Sequence, residues 1–293
     1  MPFRPPPLVL ALASSLLATA VVVSFASRRG GRYRALPGWL GSWVLFAVLL
    51  VVVSRAPRWA SLPLLGAAIF AALRQYFFVA PLRPRDRLAI LTAYAGIPLV
   101  LWPVYLGSYF GVLSSAVLAL AIVFPVLLAS GPRQPGLLDS AGRVLLGFLV
   151  FVVCFAHLGL LSGSAPGWLE LFGVLVVGSE LPQRLAGRIR PGEPLLRPLL
   201  GVLSSLVLAA ALGAGLSPFL PASASVCGLG GIVVAGAATA GGIVSDALAQ
   251  DLGIGAPPSV ASRGAFLDRA MPAVYAAPAF YLYLVSFLGG KGM

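Results

Sequence analysis

The chain is a succession of apolar runs of bilayer length, joined by connections too short to hold a soluble domain. A spanning helix needs about 20 mostly apolar residues. Ten runs meet or approach that length: 7–26, 38–54, 60–80, 88–107, 110–129, 144–162, 166–180, 199–219, 223–244 and 271–289. The seventh is short and the ninth is rich in glycine. Charged residues make up 10% of the 293, against about 25% in a soluble domain. Mean hydropathy is +0.99. The sequence therefore predicts an all-α fold, a polytopic transmembrane helical bundle of about 9–10 helices. The first run follows Arg4 and precedes Arg28 and Arg29. It is longer than the apolar region of a cleaved leader, so it reads as a spanning helix.

The net charge of +12 comes almost wholly from arginine; Lys291 is the only lysine. On a soluble protein such a balance points to nucleic acid. Here the arginines sit in short connections, where they act as topology signals and contacts for anionic lipid, so no nucleic-acid partner is expected. Alternate connections carry them. One set holds Arg28, Arg29, Arg32 and Arg34, then Arg83, Arg85 and Arg87, then Arg133 and Arg143, then Arg184, Arg188, Arg190 and Arg197, then Arg263 and Arg269. The other set holds only Arg55 and Arg58. The positive-inside rule assigns the first set to the cytoplasm and both termini to the outside. The expected location is integral to a membrane, the bacterial inner membrane on this reading. Arg74 is the one arginine within a run, near enough to its cytoplasmic end to snorkel.

Only eight acids occur, and Glu180, Glu193, Asp246, Asp251 and Asp268 fall in or beside the last two cytoplasmic connections. Carboxylates at a membrane boundary are costly against lipid, so this concentration suggests a polar pocket. Cys154 and Cys227 lie in apolar runs without disulfide or zinc spacing. His157, the only histidine, has no acid at helical spacing in its own run and reads as a hydrogen-bonded core residue. Glycines 228, 230, 231, 236, 241 and 242 in the ninth run suit close helix packing. Pro103, Pro125, Pro272 and Pro278 lie within runs and can kink them.

Two stretches resemble the phosphatidate cytidylyltransferases (CDP-diacylglycerol synthases). The first, 155–194, has His157 in an Ala-His-Leu element, Ser179-Glu180 at the family's Asn-Asp position, Gln183 at the expected spacing, and Gly187-Arg188 closing the element. The second, 241–284, reads as a short polar loop between two apolar segments. It has Gly241-Gly242, Asp246, Ala261 to Ala265 in the place of a Pro-Gly-His-Gly-Gly box, Leu267-Asp268-Arg269 as the family has it, and Pro278 in the last helix. The division that follows is 1–143, N-terminal transmembrane helices, and 144–293, a C-terminal cytidylyltransferase-like region.

The resemblance implies an enzyme that joins phosphatidate to CTP and releases pyrophosphate at the cytoplasmic face. Such chemistry needs divalent metal on carboxylates and cations on the phosphates. Glu180 and Asp268 would be the catalytic residues. Glu180, Asp246, Asp251 and Asp268 would hold Mg2+, and Gln183, Arg188, Arg197, Arg263 and Arg269 would bind substrate. The family's lysines are absent from both loops, its Lys-Asp pair has no counterpart, and Met271 stands for the last Asp of its signature. Arginine is not equivalent to lysine in a metal–phosphate site. Three readings follow: an active nucleotidyltransferase using CTP; an inactive member that keeps the fold and binds lipid or a partner enzyme; and a small lipid or solute transporter. The partners expected are membrane lipids, phosphatidate among them, CTP in an active enzyme, and a homodimer or a partner lipid enzyme. The transporter reading calls for internal repeats and mid-membrane polar residues, and the sequence shows neither clearly.

Overall fold

The computed structural model describes the backbone of residues 6–27, 36–80, 83, 86–129, 137–163, 167–189 and 196–251, and of 261–288. Within these it describes every side chain except those of 25–27, 36–40, 42, 184, 186–189, 196–198, 261–269 and 288. Ten helices account for nearly all of it: α1 Pro7–Ser27, α2 Leu36–Arg55, α3 Arg58–Val79, α4 Arg87–Tyr105, α5 Tyr109–Ala129, α6 Leu137–Gly163, α7 Trp168–Ile189, α8 Leu196–Leu216, α9 Ala224–Asp251 and α10 Ala261–Leu288. No strand occurs among the described residues. Among the described residues, eight stretches are long and apolar enough to cross a membrane, and they lie on α1, α3 to α6 and α8 to α10.

The turns have local causes. Pro57 precedes α3 in extended geometry, which its ring favours. Between α4 and α5, Gly107 takes φ +70° and its N–H donates to the Val104 carbonyl, closing α4 with a left-handed residue. Ser108 then caps α5, its Oγ accepting from the Gly111 N–H at 3.0 Å. Pro125 has no N–H for the carbonyl four residues back, and the turn ahead of it, Ala119–Val123, widens to π geometry.

α7 is the axis of the bundle. Every residue from Gly167 to Glu180 is buried, so the helix has no lipid-facing side over four turns. α1, α2, α6, α8, α9 and α10 all touch it. α7 to α10 pack as successive antiparallel neighbours, and α10 also leans on α3 and α6. One apolar core runs from Leu8 to Leu284 and takes residues from both 1–143 and 144–293.

The glycines of α9 show how close this packing is. A methyl group on Gly231 would overlap the Ala209 carbonyl, and one on Gly213 of α8 would overlap the Cys227 carbonyl. On the other side of α9, a Cβ at Gly241 would lie 2.7 Å from the Met271 carbonyl oxygen. Gly228 and Gly230 also face neighbours, whereas Gly236 and Gly242 have nothing within 4 Å. Four of the six glycines expected to bring helices together therefore do so.

Three stretches expected to be loop or to lie outside a span are helix. α7 continues past residue 180 to Ile189, α9 continues through Asp246 to Asp251, and α10 begins at Ala261. Of the expected signature loop, the backbone of 252–260 and the side chains of 252–269 lie outside the described residues. The reason is length. A 28-residue helix such as α9 or α10 rises about 42 Å, against a hydrocarbon core of about 30 Å. Hydropathy detects the submerged part and misses the polar turns beyond it.

Candidate polar site at the arginine-rich end

The antiparallel order of α7, α8, α9 and α10 brings four helix ends together. These are the C-termini of α7 and α9 and the N-termini of α8 and α10. Every residue expected to act lies on these ends: Glu180, Gln183 and Arg188 on α7, Arg197 on α8, Asp246 and Asp251 on α9, Arg263, Asp268 and Arg269 on α10. The side chains of Arg188, Arg197, Arg263, Asp268 and Arg269 lie outside the described residues.

Gln183 is the best-defined member. Its Nε2 donates to Thr239 Oγ1 at 2.9 Å and to Ser205 Oγ at 3.2 Å. Thr239 in turn donates to the Ala235 carbonyl at 2.7 Å, and Ser205 to the Val202 carbonyl at 3.0 Å. Each hydroxyl thus gives its hydrogen to its own helix and a lone pair to Gln183. One amide nitrogen fastens α7 to α8 and α9. Gln183→Leu is expected to cost about 1–2 kcal/mol, the usual range for interhelical hydrogen bonds in a membrane bundle. It should appear as a lowered thermal midpoint in detergent; an unchanged midpoint would mean that the amide does not fasten the helices.

Glu180 lies one turn before Gln183 and is 4% exposed. Ser179 beside it is fully enclosed, its Oγ donating to the Val176 carbonyl at 2.9 Å. Asp246 and Asp251, in contrast, are exposed. They are five residues apart on one helix, about 140° around its axis, so they cannot close on one small cation without bending α9. Among the described residues no three His, Cys, Asp or Glu side chains form a group able to hold a metal ion. The fourth member of the expected Mg2+ set, Asp268, has its side chain outside the described residues.

The opposite end of α7 carries a carboxylate that sequence reasoning passed over. Glu170, in the first turn of α7, is completely buried. Arg55 Nη2 lies 2.6 Å from its Oε1, and Ser54 Oγ donates to the same oxygen at 3.0 Å. Oε2 is buried and has no hydrogen-bond partner among the described residues. The signal was available: an acid inside an apolar run is a candidate for special treatment. Arg58, three residues after Arg55, donates to the Tyr105 carbonyl at 3.1 Å and the Gly163 carbonyl at 3.4 Å. The two arginines that break the charge asymmetry of the loops are thus tied to α7, α4 and α6. His157 is buried as expected, its Nδ1–H donating to the Val153 carbonyl at 2.9 Å and its ring set edge-on between Tyr109 and Tyr281.

The chain has no match among protein-family models, curated proteins or solved structures.

Proposed function

We propose that the protein binds a lipid phosphate, phosphatidate or a close relative, at the cytoplasmic ends of α7 to α10, and that it does not couple this lipid to CTP. On this reading it is a non-catalytic relative of the phosphatidate cytidylyltransferases. The observation that carries the proposal is that Asp246 and Asp251 are exposed on different sides of α9, about 140° apart, so that the two do not share one small cation. Phosphoryl chemistry on two polyanions needs carboxylates gathered on metal. Binding one phosphate needs only cations, and arginine is well shaped for it, offering paired N–H groups to two phosphate oxygens.

Arg188 and Arg197 flank the connection from α7 to α8, and Arg263 and Arg269 lie in the first nine residues of α10. Four guanidinium-bearing residues on adjoining helix ends, with no lysine, suit capture rather than transfer. Gln183, which the resemblance assigns to substrate, instead holds helices together with its amide nitrogen. That use also favours a retained scaffold.

Purified protein in nanodiscs should retain phosphatidate over phosphatidylcholine, and Arg188→Gln with Arg263→Gln should remove the preference. With CTP, phosphatidate and Mg2+ or Mn2+ no pyrophosphate should be released. Pyrophosphate release that Glu180→Ala abolishes would establish an active enzyme instead. Equal retention of the two lipids would end the lipid-phosphate reading.

A further inference from the structure

An apolar groove of about 430 Å³ lies between α3 and α4, at the end of the bundle opposite the polar site. Its volume falls in the range of small-molecule sites, about 300–1,000 Å³. Leu62, Gly66 and Leu101 are among the residues that line it. Gly66 keeps it open, since a Cβ there would press on Leu101 Cδ1 at 3.1 Å. Trp59 and Trp102 also line it, and both are more than half exposed. Tryptophans in such positions settle at the boundary between acyl chains and headgroups.

Arg58 lines the same groove. Its two carbonyl contacts hold the guanidinium in place and use two of its five N–H groups. Carbonyls do not cancel its charge, and among the described residues it has no carboxylate partner. Arg55, at the same end, has Glu170. The groove therefore combines an apolar trough, an aromatic rim and one fixed positive charge.

We infer that this groove seats one anionic phospholipid, an acyl chain lying between Trp59 and Trp102 and the phosphate on Arg58. The charge selects the occupant: a fatty alcohol or a neutral sterol would leave Arg58 without a counter-charge. The site is separate from the lipid-phosphate site proposed above and depends on none of its residues.

The test is native mass spectrometry of the full chain released from micelles holding equal phosphatidylglycerol and phosphatidylcholine. The wild type should retain phosphatidylglycerol over phosphatidylcholine by about five-fold, the contribution of one well-placed basic residue near a membrane surface. Arg58→Gln should bring the ratio close to one, and Arg58→Lys, which keeps the charge, should preserve it. Trp59→Ala, a surface change, should lower retention of both lipids with the thermal midpoint unchanged. Equal retention by the wild type overturns the proposal. So does a preference that survives Arg58→Gln, which would belong to the other end of the molecule, or one lost equally in the glutamine and lysine variants. Unchanged retention in Trp59→Ala overturns it as well.

Discussion

Arg55→Met is expected to destabilise the protein by about 3–5 kcal/mol, the cost of stranding a buried charge by removing its partner. Glu170→Gln, which breaks the same pair from the other side, should cost about 1 kcal/mol, as for a solvent-exposed ion pair. The asymmetry comes from exposure. The Arg55 side chain is 40% exposed and can return to water, whereas the Glu170 side chain is 1% exposed and cannot. Without Arg55, the carboxylate keeps only Ser54 among the described residues, where its second oxygen already lacks a partner. Adding Glu170→Gln to Arg55→Met should therefore recover most of the loss, because it removes the stranded charge. Thermal midpoints of the two single variants and the double variant in one detergent decide the matter. Equal losses from the two single changes would show that the pair contributes symmetrically and that burial of Glu170 is not the controlling term.

The second large effect lies at the seam between α8 and α9. Gly231→Ala should destabilise by about 3 kcal/mol or more, at the upper end of what an added core methyl costs. The methyl would meet backbone, the Ala209 carbonyl, and not a side chain able to rotate away. Either the helices separate or the helix axis bends. Gly213→Ala should behave alike, through the Cys227 carbonyl. The two changes open one seam, so together they should cost less than their sum. Gly236→Ala is the internal control. Nothing lies within 4 Å of its Cβ position, and alanine favours a helix over glycine by about 1 kcal/mol, so it should be neutral or stabilising. A loss at Gly236→Ala equal to that at Gly231→Ala would sink the close-packing account.

The fold was largely legible because hydropathy and length are properties of the chain itself. The ten runs became ten helices, and the glycine-rich ninth run packs closely as its composition suggested. Which glycines matter was not legible. Helix rotation decides it, and rotation is set by the neighbours: Gly231 and Gly236 are alike in sequence and unlike in contact. The polar ends of α7, α9 and α10 were also hidden, because the last turns of α7 and α9 and the first turns of α10 resemble loop.

The candidate site was legible as a location and less so as an arrangement. Glu180 and Gln183 share a turn of α7, as i and i+3 residues must. Sequence alone did not reveal that Ser205 and Thr239 would take up the Gln183 amide, since both come from other helices. Glu170 escaped notice for a related reason. Its significance lies in Arg55, more than 100 residues away, and Arg55 counted only as a topology signal until the structure paired the two.

The enclosure of α7 has a consequence for how the protein is made. Within its 22 residues it carries Glu170, Glu180, Arg184 and Arg188. Charged side chains in a nascent helix oppose transfer from the translocon into lipid, the more so the closer they lie to its centre. The surrounding helices lower that cost by shielding α7 from acyl chains. The segment at the centre of the finished bundle is therefore the one least able to enter the bilayer alone, and its integration is a cooperative event of assembly.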